Sequence, residues 1–257
     1  MKIAVVGCGT TGNLIIPKLK GEVFIIDRDI IEEKNIERQV LFEKQDVGKP
    51  KAEVLGRKLN LKFKVIDLDH KNVSVLKSDL VVDCTDNLET RFLINEYCRK
   101  NKIPWVYTGV VGDLGRVLLF NGDFCFRCLF TEVKGLDTCT TLGIDMSVAK
   151  NVAKVAIEEI TKMKSRGLWM NGDWVKVKKN ETCPVCKGKY DFLEGKRSSN
   201  VKFCGSSRFQ FKGDYREVKN KYSENVVGDF YVFDDRILVK AETIREARKK
   251  LSVFIGV

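Results

Sequence analysis

Apolar residues along the first half of the chain fall into two alternating kinds of block. Ile3-Ala4-Val5-Val6, Val23-Phe24-Ile25-Ile26 and Asp79–Cys84 are short, continuous and rich in β-branched residues, the pattern of strands buried on both faces. Phe63–Ile66, Pro104–Thr108, Gly115–Phe120 and Trp174–Val177 add further strands. Between them lie segments with helical spacing. One follows Gly12, one runs from Lys51 through Leu59 behind Pro50, and one starts at Asn87 as N-cap and continues to about Lys100. A longer helix is expected from Thr141 to about Lys164, with Ala149, Val152, Ala153, Ala156, Ile157 and Ile160 on its apolar stripe.

Alternation of this kind predicts an α/β fold: a Rossmann-like, mostly parallel sheet with helices on both faces. The loops at the carboxyl ends of the strands then share one crevice, and the positions after Val6, Asp27, Cys84 and Thr108 are expected to meet there. Beyond Lys187 the character changes. Lys187–Asn200 is polar and contains glycine, as a linker would. Arg208–Lys212, Phe230–Phe233 and Arg236–Lys240 read as strands, with a turn at Asp234-Asp235 and a closing helix over Ala241–Leu251. The expected division is a domain over residues 1–187 and a small α+β extension over 188–257.

Composition narrows the class. The 257 residues are 44% hydrophobic and 32% charged, ordinary for a globular protein with a lean towards Lys and Glu. No apolar run approaches the ~18 residues of a membrane span. Val5-Val6 lead straight into glycines rather than into a signal-peptide core, so a cytoplasmic protein is expected. Of the net charge of +11, thirteen Lys/Arg against five Asp/Glu between Lys176 and Tyr222 contribute 13 − 5 = +8. No stacking aromatics alternate with these lysines in an RNA-binding pattern, which ranks a solvated basic face first, an acidic protein partner next and nucleic acid last.

Two constellations carry chemistry. The first is the glycine turn Gly7, Gly9 and Gly12 after the first strand, with Asp27 ending the second: glycines admit a phosphate to a helix N-terminus and the acid takes ribose hydroxyls. Arg38 and Lys51 add fixed positive charges, and Asp86 at a strand end suits Mg²⁺. A dehydrogenase needs the glycines and the acid; a triphosphate with its metal uses the whole set. The second constellation is Cys125/Cys128 with Cys183/Cys186, two C-x-x-C pairs able to form a closed four-thiolate zinc site, a redox disulfide being the alternative for one pair. Cys8, Cys84 and Cys98 fall on segments that read as buried, and the single histidine, His70, is read as an ordinary residue.

G-x-G-x-x-G, the acidic strand end IIDRD, N-x-x-R-Q (Asn35, Arg38, Gln39), G-K-P-K (Gly48–Lys51), DCTDN-x-x-x-R (Asp83–Arg91), CFRC and CPVC follow one another in this order. Over roughly Met1–Cys186 the chain resembles the ThiF/MoeB/HesA family, relatives of ubiquitin-activating enzymes; the tail resembles extensions on some members more loosely. The resemblance implies ATP-dependent adenylation of the C-terminal glycine of a ubiquitin-like sulfur-carrier protein ending in Gly-Gly, by a homodimer. It puts Asp27 on ribose, Arg38 and Lys51 on phosphates, Asp86 on Mg²⁺, and Asn35 and Gln39 in the phosphate-binding arm, with Asn87 beside them. Cys139 matches a position where members often carry a cysteine that joins the carrier covalently. Two departures are expected to matter: the chain opens on its first strand, without the N-terminal helices that lend an arginine to the neighbouring subunit, and it has no rhodanese domain, so a sulfur donor would be separate. An NAD-dependent oxidoreductase and a non-catalytic carrier-binding scaffold remain the alternatives.

Overall fold

The computed structural model describes residues 1–122, 124–130, 143–197, 208–221 and 226–255. The chain forms two units, Met1–Ser198 and Ser199–Val257. The first contains an eight-stranded sheet of order β3-β2-β1-β4-β5-β6-β7-β8. Its strands are β1 Lys2–Val6, β2 Glu22–Ile26, β3 Lys62–Lys64, β4 Leu80–Asp83, β5 Trp105–Val111, β6 Leu114–Phe120, β7 Leu168–Met170 and β8 Asp173–Val175. The pairings from β3 to β5 are parallel, with Val5 opposite Ile25 and Val82. From β5 to β8 the sheet continues antiparallel.

The continuous apolar runs exist because successive side chains enter different cores. Ile3, Val5, Leu80 and Val82 pack with Ile15, Leu55 and the helix α5 (Met146–Lys162) on one face. Ala4, Val6 and Val81 pack with Phe92, Ile94 and Cys98 of α3 (Leu88–Asn101) on the other. The glycine turn opens α1 (Thr10–Ile15), and α2 (Lys51–Leu59) begins behind Pro50. A short α4 (Phe126–Leu129) carries the first cysteine pair. From β1 the chain moves to β2 and β3 on one side and later to β4 and β5 on the other, so the β1/β4 boundary is the topological switch point.

Several element bounds differ from expectation, among them the strand expected over Trp174–Val177, which is Asp173–Val175, and the closing helix, which is Ile244–Ile255. The third strand is Lys62–Lys64, not Phe63–Ile66. Thr108 lies mid-strand, because antiparallel pairing with β6 carries β5 on to Val111. The helix expected from Thr141 starts at Met146, where Asp145 caps it by accepting the N–H groups of Ser147 and Val148; residues 141–142 lie outside the described residues. Residues 188–197 fold onto the first unit instead of leaving it: Phe192 stacks on Phe92 with ring centroids 5.2 Å apart, and Glu96 accepts the Leu193 N–H at 2.9 Å.

The second unit is a four-stranded antiparallel sheet of order β10-β11-β12-β9. Its strands β9 Arg208–Lys212, β10 Val226–Val227, β11 Phe230–Val232 and β12 Arg236–Lys240 are followed by the helix α7 (Ile244–Ile255), with the short α6 (Arg216–Lys219) between β9 and β10. Phe209, Val232, Ile237, Val239, Ala247 and Leu251 form its core. Among the described residues no helix is long and apolar enough to cross a membrane.

Candidate nucleotide site and metal centre

At the switch point the glycine turn is fixed by close backbone approach. Gly7 has φ +100°, and a Cβ there would lie 2.5 Å from the Cys84 carbonyl oxygen; a Cβ on Gly12 would strike the Gly7 carbonyl. A Cβ on Gly9 would meet nothing, so that position faces open space. No side chain caps the first turn of α1, which leaves its amide donors to the crevice. Asn13, buried in α1, donates to the carbonyls of Cys8 (2.8 Å) and Gly9 (3.2 Å) and accepts the Leu41 N–H at 3.0 Å. It ties the turn to the segment carrying Asn35, Arg38 and Gln39. Asn13 belongs to none of the sequence motifs; its signal is a polar side chain on the buried side of an apolar helix.

Asp27 follows β2 and is 8% exposed. Its carboxylate accepts the Cys8 N–H at 2.5 Å and the Asp29 N–H at 2.7 Å. Burial and the charge of Asp29 raise its pKa to about 6, against the pull of Lys51. Lys51, the first residue of α2, is 6% exposed, and its ammonium lies 3.2 Å from Asp29 Oδ2. Burial alone would lower its pKa; the carboxylates of Asp29, Asp27 and Asp86 reverse this and hold it above the ordinary value. Arg28, beside them, pairs with Asp67 at 2.8 Å and also senses the charge of Asp86. Asp27, Lys51 and Asp86, separate in the sequence, therefore form one electrostatic cluster, which also contains the unforeseen Arg28 and Asp29.

Asp86 is exposed in the turn after β4, and Asn87 caps α3 by accepting the Thr90 N–H at 2.8 Å. Arg38 is half-buried with Asn35 Oδ1 3.4 Å from its Nη2, and Gln39 is buried with no hydrogen-bond partner for Oε1. Cys8 and Cys98 are buried and Cys84 is half-buried. Cys139 lies outside the described residues.

The four cysteines meet. Cys125 Sγ lies 3.9 Å from Cys128 and 3.6 Å from Cys183 and Cys186, and Cys128 lies 3.6 Å from Cys186. A tetrahedral ion with metal–sulfur bonds of ~2.3 Å requires sulfur–sulfur edges of ~3.8 Å, so the donor set fits a metal of zinc's size and geometry. None of the four is in a disulfide. The first pair is held from the sheet side by Asn95, buried in α3, whose Oδ1 accepts the Phe126 N–H at 2.8 Å.

A doubly wound sheet with a glycine cradle, a buried lysine among carboxylates and four thiols spaced to hold a metal places the chain in the class of Rossmann-like proteins with paired cysteine knuckles. Within that class the chain belongs to the ThiF family, whose profile matches residues 1–172. It is 32% identical over 224 residues to the SAMP-activating enzyme E1 of Haloferax volcanii, covering 75% of this chain and 83% of that protein. It is 28% identical over 248 residues to the sulfur carrier protein ThiS adenylyltransferase of Bacillus subtilis, covering 82% and 73%. The crystal structure of Escherichia coli MccB with ATP shares the fold, with a TM-score of 0.62 at 22% identity over 73% of this chain and 67% of that one. The chain is an adenylyltransferase of this family.

Proposed function

We propose that the protein uses ATP and Mg²⁺ to adenylate the C-terminal glycine of a ubiquitin-like sulfur-carrier protein of the ThiS or MoaD type, serving thiamine, molybdopterin or tRNA sulfur chemistry. The observation that carries this reading is the buried Lys51 ammonium, 3.2 Å from Asp29 and in the field of Asp27 and Asp86, beside the glycine turn. A dinucleotide oxidoreductase needs the turn and the acid but has no role for that cation. The names of the Bacillus and Haloferax relatives support the substrate class.

In this reaction the carrier's terminal carboxylate attacks the α-phosphorus of ATP. An oxygen–phosphorus bond forms, the bond to the β-phosphate oxygen breaks, and pyrophosphate leaves with the electron pair. Two anions must meet, so the barrier is electrostatic, and fixed cations in a site poor in water lower it. Lys51 and Arg38 serve as those cations, Asp27 accepts from the ribose, and Gly7, Gly9 and Gly12 bring backbone amides to the phosphates. Asp29 is the resting partner of Lys51; its side chain, 37% exposed, turns to water when a phosphate takes its place. Asp86 would hold Mg²⁺, which when bound neutralises phosphate charge, with Asn87 fixing the turn and Asn35 and Gln39 supporting the arm. No general base is required, because the carboxylate is already ionised. Cys125, Cys128, Cys183 and Cys186 would hold a structural zinc, and Cys139 would take the carrier covalently. The working form in this reading is a cytoplasmic homodimer.

Pyrophosphate–ATP exchange in the presence of a small carrier ending in Gly-Gly tests the reading. Asp86→Ala and Lys51→Met are each expected to lower exchange at least a hundredfold, about the cost of removing one charge-stabilising group from an active site. Unchanged exchange in both variants would refute it, and tight nicotinamide binding without ATP binding would favour the oxidoreductase.

A further inference from the structure

We propose that Arg91 and Asp83, beneath the crevice, are positioning residues that clamp Thr85 and so aim Asp86 at the bound nucleotide. What Asp86 does there rests on the adenylation reading; what holds Thr85 rests on geometry alone.

Asp83 ends β4 and is fully buried. Its Oδ1 accepts both the Thr85 N–H at 2.8 Å and the Thr85 hydroxyl at 2.7 Å. Its Oδ2 has no hydrogen bond and faces Arg91 Nε at 3.6 Å. Arg91, in the first turns of α3 and 8% exposed, donates from Nη2 to the carbonyls of Thr85 and, at 3.2 Å, Thr108. Thr108 closes the ring by donating its hydroxyl to the Asp83 carbonyl at 2.7 Å. The amide, hydroxyl and carbonyl of Thr85 are thus all held by one ion pair.

A buried ion pair of this kind adds little stability over a well-packed apolar pair, so its use lies in the geometry it fixes. The chain on either side is fixed as well: the Cys84 N–H donates to the Val6 carbonyl at 2.8 Å, and Asn87 caps α3. Asp86 stands exposed between these anchors, one residue from the clamp, with its charge felt by Lys51 and Arg28. The guanidinium of Arg91 is backed by the Tyr107 ring at 5.0 Å, which in turn meets Phe126 of the first cysteine knuckle at 5.2 Å. The thiol centre therefore supports the clamp from behind.

Arg91→Lys keeps the charge but lacks the planar fork that reaches Asp83 and both carbonyls together. Thr85→Val keeps the shape and removes the hydroxyl contact; it carries the same test should Arg91→Lys not fold. Hydrogen exchange in the nucleotide-free protein is expected to quicken at least tenfold at the Thr85 amide, with the Ile94–Cys98 amides of α3 unchanged. In pyrophosphate exchange at saturating ATP, the MgCl₂ concentration for half-maximal rate is expected to rise about tenfold, with the maximal rate recovered at high MgCl₂. An unchanged Thr85 amide, or uniform acceleration through α3, would overturn the clamp. So would an unaltered MgCl₂ requirement in a protein whose exchange Asp86→Ala abolishes. If instead Asp86→Ala leaves exchange intact while Thr85 loosens as expected, the role given to Asp86 fails and the clamp on Thr85 stands.

Discussion

Burial of Asp83 makes a quantitative claim about stability and pH. Loss of water raises its carboxyl from an ordinary 3.8 to about 6, with Arg91 and the Thr85 hydrogen bonds pulling the other way. The folded protein therefore binds this proton more tightly than the unfolded chain does. Stability from that source is complete below pH ~4 and is lost as the pH rises through about 6. A difference of about 2.2 pH units corresponds to about 3 kcal/mol. Asp83→Asn does not titrate, so its stability relative to the parent should improve by roughly 2 kcal/mol between pH 4 and pH 7, the rest of the change falling below pH 4. Arg91 loses its counter-ion in the variant at every pH, which offsets the two curves without changing the slope of their difference. Urea unfolding followed by tryptophan fluorescence suits the measurement, because Trp105, Trp169 and Trp174 are the chain's three tryptophans and all lie in the first unit. Zinc should be supplied in excess in both proteins, so that occupancy of the four-thiol site does not differ between the two curves. A difference between the curves that stays flat from pH 4 to pH 7 would refute the burial argument.

The glycine turn and the thiol centre give two further expectations. Gly7→Ala places a Cβ 2.5 Å from the Cys84 carbonyl at φ +100°, so it should cost ~1–3 kcal/mol of stability and weaken ATP binding, read by urea unfolding and by titration. Gly9→Ala, which meets nothing, should leave stability within ~0.5 kcal/mol; equal effects of the two substitutions would contradict the assigned turn geometry. Purified protein should carry one zinc per chain by metal analysis. Cys183→Ser should lose it and lower the melting temperature, and metal-free parent protein with an unchanged melting temperature would remove the structural role.

Much of the first unit was legible because its strands are buried on both faces. Side chains of Ile3-Ala4-Val5-Val6 divide between two cores, and only a continuous apolar run can do that. Strand ends were less legible. β5 continues through Gly109 because pairing with β6 carries it on to Val111, and the glycine is needed there because the Tyr107 hydroxyl occupies the space of a side chain. Helical periodicity over Thr141–Lys164 could not locate the start of the helix. The cap did, through Asp145 and its bonds to Ser147 and Val148, a signal of two residues inside a longer apolar pattern. The polar stretch after Lys187 read as a linker because its composition is polar. Phe192 and Leu193 nonetheless pack against α3, Glu96 holds the Leu193 N–H, and Tyr190 packs on the cysteine cluster, contacts that composition alone does not reveal.

For the site, the ordered motifs revealed the nucleotide class but not how its charges are paired. Lys51 pairs with Asp29 across 22 positions and Arg28 with Asp67 across 39, distances set by how the segment after β2 returns to begin α2. Nothing local in the sequence marks those partners. The same holds for Asp83 and Arg91, whose motif spacing is visible but whose shared hold on Thr85 depends on β4, α3 and β5 meeting at one point. Phosphate-binding charges face a ligand and recur in recognisable motifs. The groups that orient them face other parts of the chain, so their partners follow from topology. A buried carboxylate at a strand end, with an arginine one turn into the next helix, therefore supports the residue between them rather than the ligand directly.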